Sequence, residues 1–333
     1  MNYLVTGVCG FIASKVTEML LDQENRVVGV DNINDAYDVR LKQWRLKRLA
    51  NCRNFEFHQA DICDRLLMES IVKSHEFDAV INLAARAGVR QSLENPWIYL
   101  ETNCTGTLNL LELARIRGIR KFVLASTSSL YGAHKVMPYS EDGDTSHPLS
   151  PYAASKKAAE ALCYSYHRLY RLDISVLRYF TVYGPACRPD MSIFRFVQRI
   201  SESRPVAIFG DGQQSRDFTY VDDIARGTIA ALRPVGYGTF NLGSDRPYIL
   251  MDVVKIVEEM VGKSAHIQYR PVHPGDVPAT WADIRRANDV LAWAPTVSLE
   301  EGLSRVVEWY KQNQSWAREI NTDEQSFFEA AAR

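Results

Sequence analysis

The N-terminal residues place a glycine-containing turn between a short apolar run and an amphipathic segment. The apolar run covers residues 3–6, and the turn that follows it contains Gly7 and Gly10. Residues 11–23 then carry apolar side chains at three- and four-residue spacings, which is the periodicity of a helix packed on one face. A second apolar run ends at Asp31. This order predicts the first strand–turn–helix–strand unit of a parallel sheet.

Short apolar runs alternate with longer amphipathic segments through the first half of the chain. We predict strands over residues 3–6, 26–31, 55–58, 79–83, 121–126 and 174–178. We predict helices over residues 11–23, 66–74, 97–117 and 152–170. The strand candidates are almost continuously apolar, which indicates a sheet buried on both faces by helices. The predicted fold is therefore α/β, a doubly wound parallel sheet of the Rossmann type.

The alternation weakens after Gly184-Pro185, where the elements become shorter. Helices are predicted there over residues 193–203, 222–232, 250–261 and 299–312. We therefore predict a Rossmann domain over residues 1–180 and a smaller mixed α/β domain over residues 181–320, partly interleaved with the first.

Composition excludes several classes of protein. Hydrophobic residues make up 46% and charged residues 24% of the 333 residues, as in ordinary globular proteins. The net charge of -1 creates no field that would attract nucleic acid or an anionic membrane. No segment approaches the roughly 20 apolar residues of a membrane span. The six cysteines and seven histidines lack metal-site spacing, so we expect no metal and reduced thiols, as in the cytoplasm.

Two charged segments are expected to face solvent. The acidic run 141–144 falls in a predicted loop, and the basic segment 40–48, which contains Trp44, is interpreted as a solvated helix.

The glycine turn suits a dinucleotide cofactor. Gly7 allows a tight turn, and Gly10 lets the backbone approach a pyrophosphate that binds at the helix N-terminus. A carboxylate at Asp31 can accept hydrogen bonds from the adenosine ribose and would repel a 2′-phosphate, which favours NAD over NADP. Further cofactor contacts are expected at the strand ends and the start of the helix, from Phe11, Ile12, Asn32, Asp61, Ile62, Leu83, Ala84 and Ala85.

A tyrosine and a lysine stand four residues apart at the start of a predicted helix. This spacing puts Tyr152 and Lys156 on one helix face, where a lysine ammonium and a nicotinium charge would lower the phenol pKa from about 10 toward neutrality. Alone, the pair is a common helical pattern. Here it accompanies Ser126-Thr127-Ser128-Ser129 at the end of the fifth strand, on the edge where ligands of such sheets bind.

Together these segments resemble the extended short-chain dehydrogenase/reductase family of sugar-nucleotide epimerases and dehydratases. The resemblance covers about residues 1–312. It is carried by the turn at Gly7, Asp61-Ile62, Leu83-Ala84-Ala85, Asn103, Thr127, Tyr152 with Lys156, and the segments 179–185 and 216–223. Ala13 departs from the pattern, because the family usually has a third glycine there.

The resemblance implies roles for these residues. Tyr152 would be the acid/base, Lys156 would hold the nicotinamide ribose, and Thr127 would bridge Tyr152 and the sugar hydroxyl. The C4 hydroxyl would lose its proton to Tyr152 and a hydride to NAD, which leaves a 4-keto sugar. Further cofactor contacts are implied for Asn103, Ser126 and Tyr179.

The residues after Thr127 indicate which reaction follows. Dehydratases of the family carry Asp-Glu directly after the threonine, and decarboxylases that form UDP-xylose usually keep the glutamate. This chain has Ser128 and Ser129, so it lacks the acid and base for elimination. The expected reaction is epimerisation, in which the keto sugar rotates and the hydride returns to the opposite face.

Two segments are similar to UDP-glucuronate 4-epimerases, namely residues 87–96 and 188–191. Arg188 could bind a uronate carboxylate through two hydrogen bonds; the alternatives are a helix cap or a pyrophosphate contact. Arg216 is the expected diphosphate ligand. The other expected substrate contacts are Arg90, Ser128, Ser129, Thr181 and Asp276.

Other readings of the sequence stay open. They are a UDP-glucose/UDP-galactose 4-epimerase, a UDP-glucuronate decarboxylase, and a non-enzymatic NAD sensor or scaffold. The resemblance also implies a homodimer built on a pair of surface helices, with candidates in the apolar stretches 97–113 and 158–169.

Overall fold

The structure, a computed structural model, describes residues 1–134, 136–272 and 276–322. Its strands are β1 (Asn2–Thr6), β2 (Arg26–Asp31), β3 (Phe55–Gln59), β4 (Ala79–Asn82), β5 (Lys121–Thr127), β6 (Asp173–Tyr179), β7 (Thr181–Tyr183), β8 (Pro205–Phe209), β9 (Ser215–Tyr220), β10 (Tyr237–Leu242), β11 (Pro247–Ile249) and β12 (His266–Arg270). Its helices are α1 (Phe11–Asp22), α2 (Val39–Leu49), α3 (Arg65–Lys73), α4 (Val89–Glu94), α5 (Pro96–Leu100), α6 (Gly106–Arg117), α7 (Pro151–Tyr170), α8 (Ser192–Ser201), α9 (Val221–Ala230), α10 (Leu250–Val261), α11 (Arg285–Leu291) and α12 (Leu299–Ala317).

A seven-stranded parallel sheet has the strand order β10-β6-β5-β4-β1-β2-β3. The chain runs outward from β1 to β3 in one direction and from β4 to β6 in the other, so the order reverses between β1 and β4. Ligands of such sheets bind at the carboxyl ends of the strands at this reversal. The doubly wound parallel sheet is confirmed, and the six strand predictions are each right to within one residue.

Two apolar layers cover the faces of this sheet. Val5 and Val123 point into one layer, whereas their neighbours Leu4 and Leu124 point into the other. The first layer includes side chains of α1, and the second includes those of α6 and α7. All seven residues of β5 are buried. Burial on both faces therefore explains why the strands are continuously apolar.

The smaller part of the molecule contains a three-stranded sheet, β11-β9-β7, and a parallel pair, β12-β8. The chain nevertheless returns to the large sheet, because β10 pairs with β6 as its edge strand. The boundary that we predicted at residue 180 therefore assigns β10 to the second domain, although β10 completes the large sheet of the first domain.

We predicted one continuous helix over residues 97–117, and this prediction is wrong. It is divided into α5, a π-helical turn at Glu101–Thr105, and α6. The wider turn brings the buried side chain of Asn103 inward, where it hydrogen-bonds the backbone of Arg86 and the hydroxyl of Ser155. Single π turns of this kind occur often at functional sites.

Among the described residues, no helix is long and apolar enough to cross a membrane. The helices predicted in the C-terminal half are confirmed, and α12 extends beyond its predicted end to Ala317.

Candidate active site

A cleft of about 440 Å³ lies along the carboxyl ends of the strands of the large sheet. Every residue predicted to contact the cofactor lines it, with the exception of Asn103: Gly7, Gly10, Phe11, Ile12, Asp31, Asn32, Asp61, Ile62, Leu83, Ala84, Ala85, Ser126, Tyr152, Lys156 and Tyr179. We call it the cofactor cleft.

The turn between β1 and α1 requires its two glycines. Gly7 has φ of +71°, and a Cβ there would lie 2.7 Å from the Cα of Ala84. A Cβ at Gly10 would lie 2.8 Å from the carbonyl oxygen of Gly7. Gly10 is also the N-cap of α1 and offers no side-chain cap, so the first backbone amides of the helix are available to a phosphate. The residues present therefore fit the pyrophosphate of NAD.

Asp31 is buried at the far end of the cofactor cleft. Its carboxylate accepts hydrogen bonds from the backbone amides of Cys9 (3.0 Å) and Ile33 (2.7 Å), which fix its orientation. Lys42 also lines the cleft and donates to Asn34, and burial lowers its pKa, while the charge of Asp31 opposes this. We did not predict Lys42 as a site residue. The interpretation of α2 as a solvated helix is wrong for two of its residues, because Lys42 and Arg45 are buried.

Asn103 does not line the cofactor cleft, contrary to our prediction. Its side chain is 1% exposed, and it donates to the carbonyl oxygen of Arg86 (3.0 Å) and to the hydroxyl of Ser155 (2.9 Å). Its amide oxygen accepts from the backbone amide of Arg86 (2.9 Å). Asn103 thus holds the loop after β4 against α7, and Arg86 lines the cleft in its place.

The first turns of α7 carry Tyr152 and Lys156. Ser150 caps this helix by accepting from the backbone amide of Ala153 (3.2 Å). The buried ammonium of Lys156 donates to the carbonyl oxygen of Ala125 (2.9 Å), and burial lowers the pKa of Lys156 to about 8. Lys156 is therefore fixed against β5 and oriented by its backbone.

Tyr152 lies where the cofactor cleft meets a second cleft. Burial raises the pKa of Tyr152, while a hydrogen bond from Thr127 and the charge of Arg188 lower it. The sequence led us to expect Lys156 to lower this pKa. In the structure, the groups that lower the pKa of Tyr152 against the effect of burial are Thr127 and Arg188.

The second cleft, of about 430 Å³, continues from the first between the large sheet and the smaller part of the molecule. We call it the substrate cleft. It brings together Thr127 and every residue predicted to contact the substrate, namely Arg90, Ser128, Ser129, Thr181, Arg188, Arg216 and Asp276. Arg195 and Gln214 also line it and were not predicted.

Four arginines give the substrate cleft its positive charge, namely Arg90, Arg188, Arg195 and Arg216. Arg188 forms an ion pair with Asp190 (2.5 Å) and donates to the carbonyl oxygen of Ala87 (3.1 Å), contacts that are not those of a helix cap. Arg90 forms an ion pair with Asp276 (2.9 Å). Arg216 donates to the carbonyl oxygen of its neighbour Ser215 (2.8 Å), and burial lowers its pKa. The cleft therefore suits an anionic ligand.

A buried hydrogen-bond network lies behind Ser126. The carboxylate of Glu160 accepts from the Ser126 hydroxyl (2.6 Å) and forms a two-point ion pair with Arg178 (2.8 and 3.0 Å). Arg178 donates to Tyr131, whose hydroxyl donates to Asn241 on β10. We did not predict this network, although Glu160 stands one helical turn after Lys156.

Known proteins resemble this chain over nearly all of its length. The model of the family described as GDP-mannose 4,6 dehydratase matches residues 4–306. The chain is 57% identical over 312 residues to a UDP-glucuronate 4-epimerase of Thermodesulfobacterium geofontis, across 93% of this chain and 96% of that protein.

Solved structures give the same result. A UDP-glucuronic acid 4-epimerase from Bacillus cereus, crystallised with UDP-glucuronic acid and NAD, matches with a TM-score of 0.89 and 39% identity, over 94% of this chain and 100% of that chain. A UDP-glucose 4-epimerase from Thermotoga maritima, crystallised with UDP-glucose, matches with a TM-score of 0.87 and 36% identity, over the same 94% and 100%. The chain therefore belongs to the GDP-mannose 4,6 dehydratase family, within the extended short-chain dehydrogenases/reductases.

Proposed function

We propose that this protein is an NAD-dependent 4-epimerase that interconverts UDP-glucuronate and UDP-galacturonate. The observation that carries the proposal is the position of Tyr152, which lies between a cleft that fits NAD and a cationic cleft beside Ser128 and Ser129. The similarity to UDP-glucuronate 4-epimerases supports the same conclusion.

The side chains around Tyr152 have complementary roles in this proposal. Tyr152 accepts the proton of the C4 hydroxyl and later returns it, Thr127 aligns that hydroxyl, and Lys156 holds the nicotinamide ribose. NAD supplies the hydride acceptor and donor. Since each turnover restores the cofactor, the reaction needs no external oxidant.

Ser128 and Ser129 favour epimerisation over elimination. Neither hydroxyl can carry a proton as the carboxyl groups of a dehydratase do. Asp190 and Asp276, the carboxylates that line the substrate cleft among the described residues, are each paired with an arginine. Among the described residues that line this cleft, no unpaired carboxyl group therefore stands ready to protonate a leaving hydroxyl.

Product analysis tests the proposal against its alternatives. Purified protein with NAD is incubated separately with UDP-glucuronate, UDP-glucose and UDP-xylose, and the products are identified by NMR. We expect UDP-galacturonate from UDP-glucuronate without net NADH formation. UDP-galactose as the faster product would favour a UDP-glucose 4-epimerase, accumulated UDP-xylose would favour a decarboxylase, and bound NAD without any product would favour a sensor.

The proposed substrate creates a chemical hazard. Oxidation of C4 gives a β-keto acid, which loses carbon dioxide when the carboxylate bond aligns with the carbonyl π system. We propose that the side chains facing the sugar hold the carboxylate out of this alignment, namely Thr127, Ser128, Ser129, Thr181 and Arg188.

Arg188→Ala is expected to weaken UDP-glucuronate binding by about 10- to 100-fold, since it removes hydrogen bonds to a charged group. The share of UDP-pentose by-product should rise. Binding titrations and NMR product ratios measure the two effects, and UDP-glucose, which has no carboxylate, should lose less affinity. Equal losses for both substrates with no additional pentose would assign Arg188 to the nucleotide.

Thr127→Val is expected to shift the acidic limb of the kcat/KM profile to higher pH. The Thr127 hydrogen bond lowers the pKa of Tyr152, so its removal raises that pKa and makes the phenolate scarcer at a given pH. Thr127→Ser keeps the hydroxyl and should restore the profile. An unchanged limb in the valine variant would separate Thr127 from the ionisation of Tyr152.

We also propose that the protein is a cytoplasmic homodimer that binds neither nucleic acid nor membranes. Large apolar side chains are exposed on α5 and α7, among them Trp97 and Leu169, at 77% and 70%. Such surfaces mark interaction sites. Size-exclusion chromatography with light scattering should give the mass of two chains, and Trp97→Glu should shift it toward one; a wild-type mass of one chain would remove the dimer.

A further inference from the structure

Three side chains with metal-binding chemistry converge on β3, the edge strand of the large sheet. Glu56 and His58 are two residues apart and therefore point to the same face of the strand, and His75 follows the end of α3. One ligand atom from each lies within 4.8 Å of the others. In the part of the chain that the structure describes, no other three histidine, cysteine, aspartate or glutamate side chains converge in this way.

The carboxylate of Glu56 stands between the two imidazoles. Its Oε1 lies 2.8 Å from Nε2 of His58, and its Oε2 lies 3.1 Å from Nε2 of His75. All three side chains are partly buried, with His75 the least exposed at 11%. The two nitrogens therefore face one carboxylate from different elements of the fold.

The ring of His75 is held in a defined orientation. Its Nδ1 lies 3.0 Å from both the carbonyl oxygen of Ile71 and the hydroxyl oxygen of Ser74, and these two contacts hold the ring. Its Nε2 is thereby directed at the Glu56 carboxylate. A cation placed between these atoms would satisfy both, and a backbone carbonyl on the remote nitrogen is the usual support of a metal-binding histidine.

We propose that Glu56, His58 and His75 bind a divalent transition-metal ion of the Zn²⁺ class. Two imidazole nitrogens and one carboxylate oxygen suit Zn²⁺, Co²⁺ or Ni²⁺, whereas Mg²⁺ and Ca²⁺ prefer oxygen ligands alone. Three protein ligands leave a coordination position for water. The bound ion would tie β3 to the end of α3 and so stabilise this edge of the sheet.

Arg26 competes with the ion in this arrangement. Its guanidinium lies 3.0 Å from Oε2 of Glu56, the same oxygen that faces His75. This ion pair is largely exposed, at 53% and 39% of the two side chains, and contributes little to stability. Removal of the arginine should therefore strengthen metal binding without unfolding the protein.

Calorimetric titration of the chelator-treated, full-length protein with Zn²⁺ tests the proposal. We expect one site per chain and a rise in melting temperature on Zn²⁺ addition. His58→Gln and His75→Gln should each weaken binding by at least about tenfold and abolish the thermal shift. Arg26→Gln should bind more tightly. His147→Gln removes an exposed histidine that is paired with a single carboxylate, Asp144, and should behave as wild type.

Titration with Co²⁺ excludes the cysteines as an alternative source of binding. The near-ultraviolet spectrum should lack thiolate-to-cobalt charge-transfer absorption, since no cysteine belongs to the cluster. Zn²⁺ affinity that is unchanged in His58→Gln and His75→Gln, or the absence of Zn²⁺ binding by wild type, would overturn the proposal. Because Zn²⁺ affinity and melting temperature are measured without a sugar nucleotide, the outcome is independent of the proposed function.

Discussion

Replacement of Tyr152 by phenylalanine is expected to lower kcat for UDP-glucuronate epimerisation by about 10²- to 10⁴-fold, the usual contribution of a positioned acid/base. The phenol of Tyr152 lines both clefts, and without it the C4 proton has no acceptor. The phenol of Tyr179 lines both clefts as well, but it is hydrogen-bonded to the hydroxyl of Thr228 (2.8 Å). The ring at position 152 is retained, so the edge-to-face contact with Tyr99 (6.1 Å between centroids) should persist. NAD and UDP-glucuronate should therefore bind with nearly wild-type affinity.

Steady-state kinetics and binding titrations separate these effects, and Tyr99→Phe is the matched control. Tyr99 lines the cofactor cleft as well, but its hydroxyl donates to the carbonyl oxygen of Ala87 (3.3 Å), and Tyr99 does not line the substrate cleft. Its loss should cost much less in kcat. A Tyr152→Phe variant that retains more than a tenth of wild-type kcat would assign the proton transfer to another group.

The cofactor cleft could be predicted from the sequence because its parts occupy positions that the strands define. Gly7 follows β1 and Asp31 ends β2, and parallel strands bring their carboxyl ends to one edge. Only a few of these positions, such as Gly7 and Asp31, need a particular residue type for the cofactor to bind. Knowledge of the strands therefore suffices to place most of the residues that line the cleft.

Residues whose role depends on distant partners could not be predicted. Glu141 was expected to face solvent, yet its carboxylate is buried and accepts from the backbone amide of Asn241, 100 residues away, and burial raises its pKa. Arg45 is buried because it donates to the carbonyl oxygens of Cys9 and Ala186. A charge pattern read along the chain contains no information about such partners.

The same limit applies to Asn103 and to the cluster on β3. We predicted from the sequence that Asn103 contacts the cofactor, but a π turn directs its side chain inward to the Arg86 backbone. His58 and His75 are separated by α3, so their spacing resembles no metal motif. Only the packing of α3 against the sheet brings His75 to Glu56.

Breaking the buried pair between Glu160 and Arg178 should have the largest effect on stability. Both side chains are only 6% exposed, so Glu160→Ala leaves a buried guanidinium without its counter-charge, which costs about 3–5 kcal/mol. The Ser126 hydroxyl, at the wall of the cofactor cleft, also loses its acceptor. Chemical denaturation should show this loss. Glu301→Ala removes an exposed i,i+4 pair with Arg305 and should cost only about 0.3–0.5 kcal/mol.

Glu160 should also influence catalysis through Lys156. In Glu160→Gln the pH profile of kcat reports this effect, and denaturation reports the loss of stability that this variant shares with Glu160→Ala. The glutamine keeps a hydrogen-bond acceptor for Ser126 but removes the negative charge that raises the pKa of Lys156 against the lowering effect of burial. The pKa of Lys156, about 8 in the intact protein, should therefore fall. Because Lys156 then loses its charge at lower pH, the alkaline limb of the kcat profile should also move to lower pH. A limb that stays in place while stability falls would restrict Glu160 to a structural role.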